Sequence, residues 1–240
     1  MFSILIHIYY RDSWEKFFKE RLKNLENYSP VIMVNLCMIT PWNPQIISSI
    51  KNDFPKAMII KTPNKGKDIG GKLALIDLFI KTSQQSDLIV FLHDKTTPYL
   101  INGETWRNRL FGIIDPEKIN TIINEFQNNK QIGIIGAKDF IRNEFDKKKN
   151  KLETTNSNKL KELVERYNIN VTDYSFIAGS MFWIRTLIIQ KFFSRYLALN
   201  CREMLEDGDF TDRYEGTYTH SWERIFCWIA NDQHFVIKGI

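Results

Sequence analysis

Cysteine is scarce in this 240-residue chain, and its scarcity excludes two kinds of small scaffold. The three cysteines, Cys37, Cys201 and Cys227, lie far apart and form no Cys-x-x-Cys pair. Neither a disulfide framework nor a zinc knuckle is therefore indicated. Their small, odd number is typical of a reducing compartment.

Long apolar runs are also absent. The opening MFSILIHIYY lacks the basic flank and small-residue cleavage site of a secretory signal, and Arg185 interrupts the aromatic stretch over 176–189. Neither stretch reaches the roughly 20 apolar residues of a membrane-spanning helix. We expect a soluble or peripheral protein in the cytoplasm, with association at the inner face of the membrane as the alternative.

The composition is that of a packed globule, with 43% hydrophobic residues and 17 Phe, 9 Tyr and 6 Trp. No composition shift separates two cores, so we expect one domain over residues 1–240. The net charge of +5 favours polyanionic partners such as nucleotide phosphates, nucleic acid or an anionic membrane. Because the basic residues are dispersed and no recognition module is present, nucleic acid is the least favoured of these.

Apolar runs of strand length alternate with segments of helical period, which predicts an α/β fold with a mostly parallel central sheet flanked by helices. We predict strands over 2–9, 31–38, 57–61, 87–93 and 131–136, within 176–184, and at the end of the chain. We predict helices over 14–25, 45–52, 71–81, 104–114, 116–128, 159–167, 187–197 and 220–230. The polar segment 142–159 is interpreted as a solvated mobile loop, with a lid or a membrane-facing basic segment as the alternative.

The most informative stretch is 62–99, where a Gly-containing turn and a helix precede an apolar strand. Ligands of open α/β sheets bind beyond the carboxyl ends of strands, so the turn and the end of this strand should share a crevice. Gly66, Gly70 and Gly71 would allow a close backbone approach, and the last two would open a helix whose N–H groups favour anions. Asp68 would accept a ribose hydroxyl or base N–H, or cap the helix.

These residues resemble the nucleotide-sugar half of a GT-A glycosyltransferase, in which an Asn-x-Gly loop, here Asn64 to Gly66, precedes a strand that ends in Asp-x-Asp. Here the strand ends in His93-Asp94-Lys95. That departure resembles the rhamnan synthesis F family. Further positions that fit the family are Asp68, Gly70, Trp106, Arg107, Gly179, Ser180, Met181, Phe182, Trp183, Gly216, Thr217, His220, Glu223 and Arg224.

The resemblance implies a GT-A-like, Rossmann-like fold and transfer of a sugar, typically rhamnose from its dTDP donor, to a growing bacterial polysaccharide. Residues 1–100 would bind the nucleotide sugar, and residues 101–240 would bind a glycan or lipid-linked acceptor. A transferase with another donor, such as UDP-galactofuranose or UDP-hexose, and a non-catalytic nucleotide-binding module of a longer synthase are the alternatives. The basic run 147–151 is a candidate contact for a membrane that carries a lipid-linked acceptor.

A departing nucleoside diphosphate needs cations placed beforehand near its phosphates. His93 and Lys95, with Arg107 or Arg109, would supply them without a metal, and we favour that arrangement. One carboxylate with phosphates and waters is an acceptable magnesium site, so Asp94 leaves a divalent cation, magnesium or manganese, as the alternative.

Inverting transfer also needs a base for the acceptor hydroxyl. Glu223 heads the candidates because i, i+3 spacing places it on one helix face with His220, and Asp209 is second. An ion pair between Glu223 and Arg224 is the alternative role. Glu206, Asp207 and Asp212 are interpreted as a solvated acidic turn.

Aromatic rings can stack on the apolar faces of sugars. Trp183 and Phe182, with Trp222 and Tyr218, are candidate walls of the acceptor site, and Ser180, Met181 and Thr217 lie in the same motifs. Tyr9 and Tyr10 follow the first strand and are candidates for stacking on the nucleobase. Packing within the core is the alternative for each of these rings.

Overall fold

The computed structural model describes residues 1–38, 44–94 and 103–240, with side chains from residue 105 in the last range. The strands are β1 (Phe2–Ile8), β2 (Val31–Cys37), β3 (Met58–Thr62), β4 (Leu88–His93), β5 (Ile132–Gly136), β6 (Ile141–Asn143), β7 (Phe145–Asp146), β8 (Lys151–Leu152), β9 (Ser175–Ile177), β10 (Phe182–Arg185) and β11 (Val236–Gly239). The α-helices are α1 (Lys19–Lys23), α2 (Pro44–Asp53), α3 (Lys67–Lys81), α4 (Gly103–Phe111), α5 (Pro116–Asn128), α6 (Ser157–Arg166), α7 (Thr186–Phe193), α8 (Ala198–Glu203) and α9 (Tyr218–Asp232).

The central sheet has the order β11-β5-β10-β4-β1-β2-β3. All its pairings are parallel except those of β10, which runs antiparallel to both β4 and β5. The α/β fold with a mostly parallel sheet is therefore confirmed. Strands β2 and β3 are added on one side of β1, whereas β4 is added on its other side. This change of side makes the position between β1 and β4 a topological switch point.

The innermost strands are apolar almost throughout because both faces of the sheet are covered. Every residue of β1 and of β4 is buried. Helix α3 packs on β1 and β2 and touches α9, which also contacts β5. The buried apolar side chains form one connected cluster that draws on both halves of the chain.

Helix α3 begins at Lys67, four residues earlier than the sequence predicts. Gly66 forms its N-cap with φ of +73°, a left-handed conformation that glycine adopts without steric cost. Gly70 and Gly71 therefore lie inside the helix, and the expectation that they open it was wrong.

The polar segment 142–159 is not the irregular loop that the sequence predicts. It contains a strand paired with β9, the β7–β8 hairpin and the start of α6. Glu144 and Asn156 are buried in it, and they bind Arg224 and Asp212. These buried polar contacts hold the segment against the rest of the molecule.

The predicted strand within 176–184 divides into β9 and β10. Gly179 and Ser180 lie between the two strands with φ of +87° and +49°. The turn reverses the chain, so β10 enters the sheet antiparallel. Across the described ranges, no helix is both long enough and apolar enough to cross a membrane.

Candidate functional site

A cleft of about 270 Å³ lies beyond the carboxyl ends of β1 and β4, at the switch point of the sheet. This is where open α/β sheets bind their ligands. The predicted site residues that line the cleft are Tyr9, Tyr10, Asp68, His93, Asp94, Ser180, Asp209, His220 and Glu223. His7, Lys67, Ile69 and Thr219 line it as well. Lys95 lies outside the described residues.

A buried ammonium group holds the floor of the cleft together. The side chain of Lys72 has no exposed surface, and its Nζ lies 2.5 Å from Asp68 Oδ2, 2.7 Å from Ser180 Oγ and 3.3 Å from His93 Nδ1. Ser180 Oγ donates in turn to Asp68 Oδ2, at 2.6 Å. Burial alone would raise the pKa of Asp68, but Lys72, His93 and these hydrogen bonds hold that pKa well below its usual range.

The same ammonium orients His93. Since an ammonium group only donates hydrogen bonds, Nδ1 of His93 must accept, and the neutral ring then carries its proton on Nε2. His93 is 4% exposed and lines the cleft.

His7 lies beside His93, as its register partner on the neighbouring strand. Burial, with smaller contributions from Lys72 and Arg202, lowers the pKa of His7 to about 4. A Cβ at Gly71 would lie 2.0 Å from its Nδ1, so a glycine is required where α3 passes the imidazole ring.

Asp94 ties the end of β1 to the end of β4. Its carboxylate is 6% exposed and accepts the backbone N–H groups of Tyr9, at 2.9 Å, and Tyr10, at 2.7 Å. Burial raises the pKa of Asp94 to about 6 despite these hydrogen bonds. Both oxygens already have chain donors, so Asp94 has little free capacity for a cation. The described ranges contain no group of three or more His, Cys, Asp or Glu that could hold a metal ion.

Glu223, the first candidate base, lies on α9 and lines the cleft. Glu223 Oε1 accepts the Gly179 N–H and Oε2 accepts from Arg224 Nη1, both at 2.6 Å. Arg224 also donates through Nε to Glu144 Oε2, at 2.9 Å. The ion pair predicted as the alternative role of Glu223 is therefore present, and 20% of the Glu223 side chain remains exposed at the cleft.

His220 lies one turn before Glu223 on α9. The N-cap Thr217 accepts the His220 backbone N–H at 3.1 Å, and its Oγ1 lies 2.6 Å from Nδ1 of the same histidine. Burial, with a smaller contribution from Lys67, lowers the pKa of His220 against the opposing effect of Asp212. The ring is therefore neutral near pH 7.

Asp209 lies at the mouth of the cleft, where its Oδ2 accepts from the Tyr9 hydroxyl at 3.0 Å. Burial and this hydrogen bond raise the pKa of Tyr9 to about 12. The ring of Tyr10 meets that of Tyr9 edge-on at 4.9 Å and is 38% exposed, so one aromatic face is available to a ligand.

Residues 1–235 match the family model of rhamnan synthesis protein F. The chain belongs to this family. It is also 25% identical over 169 residues to the uncharacterized protein WxcX of Xanthomonas campestris pv. campestris (strain B100). That alignment covers 67% of this chain and 22% of WxcX, so the chain spans about a fifth of the length of this relative.

In this member of the rhamnan synthesis protein F family, the tryptophan predicted as an acceptor wall lies in the core. Trp183 has no exposed surface, and its Nε1 donates to the Ile113 carbonyl at 2.8 Å. Met181, Phe182 and Trp222 are also fully buried. The prediction that these rings and Met181 contact a sugar was wrong, because their side chains pack into the core beneath the cleft.

The α4 residues lie away from the cleft. The Arg107 guanidinium stacks 4.2 Å from the Phe17 ring centre, and Trp106 packs edge-on against Phe140. Arg109 pairs with Asp139. Neither arginine is among the described residues that line the cleft, so their contact with a diphosphate stays a prediction.

The Asn-x-Gly turn packs on the segment that precedes α9 and does not open into the cleft. The Asn64 carbonyl accepts the Gly208 N–H, and a Cβ at Gly66 would lie 2.2 Å from Leu205. A Cβ at Gly70 would lie 1.7 Å from the Lys65 carbonyl oxygen. These glycines make room for the protein's own chain, and the predicted close approach of a ligand to them was wrong.

Gly179, Thr217 and Arg224 act on the site through Glu223 and His220. Gly179 and Arg224 donate to the carboxylate, and Thr217 fixes the start of α9. Arg224 is 7% exposed and does not line the cleft. It therefore positions Glu223 and does not bind a ligand directly.

Two residues of the site that the sequence analysis missed are Lys72 and His7. Lys72 follows Asp68 by four residues, a spacing that favours an ion pair on one helix face. His7 is the one ionisable residue in strand β1, which is otherwise apolar apart from Ser3. Both signals were available in the sequence and point to buried polar groups.

Two of the seven described non-glycine residues with positive φ line the cleft. Lys67 and Ser180 both have φ of +49°, and each follows a glycine that also has positive φ. Left-handed conformations of residues other than glycine are costly and cluster at functional sites. Here they bring Asp68 and Ser180 into hydrogen-bonding distance.

His7 and Asp94 should contribute opposite pH dependences to stability between about pH 6.5 and pH 4. His7 binds its proton in the unfolded state from about pH 6.5 downwards but in the folded state only near pH 4, so acidification weakens folding through His7. Asp94 has the opposite sign: its folded pKa of about 6 exceeds its unfolded value, so acidification strengthens folding. Each contribution is on the order of 3 kcal/mol.

We therefore expect Asp94→Asn to lose stability steeply between pH 6.5 and pH 4, and His7→Phe to gain stability over much of that range. Urea unfolding at half-unit pH steps measures both slopes. Parallel pH profiles for wild type and the two variants would contradict the assignment.

Proposed function

We propose that this chain is a GT-A-like inverting glycosyltransferase domain. It moves a sugar, rhamnose or a similar hexose, from a nucleotide diphosphate donor to a growing bacterial surface polysaccharide. Family membership supports a role in rhamnan or related polysaccharide synthesis. The observation that carries the proposal is one cleft at the switch point, lined by the imidazoles of His93 and His220 and by carboxylates that include Asp68 and Glu223.

In this proposal the donor lies over the floor of the cleft. The bond between the anomeric carbon and the phosphate oxygen breaks, and the nucleoside diphosphate leaves with the electron pair. The His93 N–H, the nearby Lys67 ammonium and Lys95 stabilise its developing charge. Tyr10 offers its exposed ring to the nucleobase.

The acceptor hydroxyl attacks the anomeric carbon from the opposite face and loses its proton to a base that lines the cleft. Glu223 is the first candidate because its carboxylate is held in place by two N–H donors and still reaches the cleft. His220 and Asp209 line the same cleft. An acceptor carried by a lipid would bring the domain to a membrane, which the exposed lysines Lys147, Lys148, Lys149 and Lys151 support.

We favour a reaction without a metal, because histidine and lysine groups occupy the place where the leaving phosphates would lie. The alternative is magnesium or manganese bound by the donor diphosphate and Asp94. A donor panel of dTDP-rhamnose, UDP-glucose and UDP-galactofuranose, assayed with EDTA, magnesium or manganese, separates these reactions. The measurement is release of the nucleoside diphosphate, followed by analysis of the extended glycan.

His93→Ala should abolish turnover of whichever donor is active, while circular dichroism stays close to that of wild type and the melting temperature falls because the buried Lys72 loses an acceptor. His234→Asn is the matched control, because His234 is exposed and asparagine tolerates its φ of +66°. Full turnover by a folded His93→Ala protein would remove the leaving-group role of His93.

A second candidate is a nucleotide-sugar-binding module without catalysis. It is favoured by the fact that both oxygens of Glu223 already accept chain N–H groups. Calorimetric binding of a nucleotide sugar without turnover, in the presence of an acceptor glycan, would identify this function.

A further inference from the structure

His7 lines the cleft and carries a buried, unsatisfied hydrogen-bonding atom. Only 3% of the residue is exposed, yet its Nε2 has no partner among the described residues. Buried polar atoms of folded proteins are almost always paired, so a lone one in a residue that lines a cleft calls for an explanation.

The neighbouring strand determines which nitrogen of His7 carries the proton. The Asn35 amide Nδ2, fully buried, donates to His7 Nδ1 at 2.9 Å, and the same amide contacts the Thr62 hydroxyl. Because Nδ1 accepts, the neutral ring carries its proton on Nε2. The group offered to the cleft is therefore an uncharged N–H donor, which excludes a cation as its partner.

The imidazole ring of His7 fits beside helix α3 only because α3 has a glycine at that point, and this glycine destabilises the helix. Only the missing Cβ of Gly71 leaves room for the imidazole, and a glycine inside a helix is less favourable than an alanine. Two unfavourable features, the glycine inside the helix and the unpaired N–H donor, are therefore both associated with the His7 side chain. A ligand that accepts a hydrogen bond from Nε2 would account for both.

We propose that His7 is a ligand-binding residue, whose Nε2–H donates a hydrogen bond to an oxygen of the nucleotide sugar in the cleft. This inference rests on the proposed function. His7 and His93 then form a pair of N–H donors on adjacent strands, in register at the switch point. The oxygen belongs either to the diphosphate or to a sugar hydroxyl, since both accept such a bond.

His7→Phe removes the donor but keeps a ring of similar shape, and Asn35 retains its contact with Thr62. Isothermal titration with dTDP-rhamnose and UDP-glucose should show affinity at least about tenfold weaker, the loss of one well-made hydrogen bond. The melting temperature should stay near or above that of wild type, because a buried unpaired N–H is gone. His7→Gln keeps an N–H donor and should recover part of the affinity.

Ser3→Ala is the matched control: Ser3 is a buried polar residue on the same strand, bonded to Ser86 far from the cleft. It should lower stability without weakening binding. If His7→Phe fails to fold, His7→Leu takes its place. Comparing His7→Leu, which lacks an N–H donor, with His7→Gln, which has one, then tests the same hydrogen bond.

Titration of dTDP and UDP alone identifies the oxygen. Equal weakening for the nucleoside diphosphate and the nucleotide sugar assigns the contact to the phosphate, and weakening for the nucleotide sugar alone assigns it to the sugar. Undiminished affinity of a folded His7→Phe protein for both would overturn the inference and leave the proposed function standing. Wild-type protein that binds none of these nucleotides would overturn both.

Discussion

Replacing Lys72 by methionine is expected to lower the free energy of unfolding by about 3 kcal/mol, the lower end of the range for breaking a buried ion pair. The lower end applies because the Asp68 side chain is 25% exposed and regains some hydration. The variant leaves the Asp68 carboxylate without its ammonium partner, and Ser180 and His93 each lose a donor. Urea denaturation at pH 7 measures the loss.

The same helix contains a matched control. Lys81 pairs with Asp77 at the same i, i+4 spacing and 2.8 Å, but its side chain is 66% exposed. Lys81→Met should therefore cost no more than about 0.5 kcal/mol. The double variant Asp68→Asn with Lys72→Met removes both charges and should recover part of the stability. Equal effects of Lys72→Met and Lys81→Met would show that the buried cluster contributes nothing special.

Glu223→Gln is expected to lower kcat by about 10² to 10⁴-fold, the usual contribution of a general base. An amide keeps the size of the side chain but cannot take a proton from the acceptor. Affinity for the donor should change little, because in the proposed reaction Glu223 contacts the acceptor hydroxyl. Steady-state kinetics with the active donor, and titration of the nucleotide, measure the two quantities separately.

Glu144→Gln tests whether a loss of kcat in Glu223→Gln reflects only the disturbed ion pair with Arg224. Glu144 also binds Arg224 but is 1% exposed and does not line the cleft. It should reduce stability and leave kcat within a few-fold of wild type. If Glu223→Gln retains full turnover while His220→Gln or Asp209→Asn loses it, the base is one of those residues and Glu223 has no part in the proton transfer.

The sequence pattern was sufficient for the sheet and most helices. Short apolar runs such as β4 indicate buried strands, and their alternation with helical segments favours a mostly parallel sheet. The start of α3 could not be read this way, because Gly66 as an N-cap and Gly70 inside the helix look alike in sequence. The direction of β10 depends on the turn at Gly179 and Ser180, which periodicity does not reveal.

Part of the candidate site could be predicted from polar and ionisable residues that follow predicted strands or occur in the family-like motifs. Asp68, His93 and Glu223 do lie around one cleft, although they are far apart in the chain. The prediction for Trp183 failed because the face of a strand that meets the core depends on its neighbours in the sheet. Lys72 was missed because a lysine is normally exposed, and its full burial depends on polar partners such as Asp68 and Ser180, which come together around it only in the fold.

The contacts that close the cleft have a consequence for how the chain folds. The bond between Lys72 and Ser180 spans 108 positions, and the bond between Tyr9 and Asp209 spans 200. Contacts of such long range form late, because closing a long loop costs entropy before any contact repays it. A ribosome-bound segment that ends before Ser180 would carry the β1 to β4 half with Lys72 and Asp68 but without their hydroxyl partner. Ligand recognition should therefore arise in the last stage of folding, and a bound nucleotide sugar would stabilise that stage above all others.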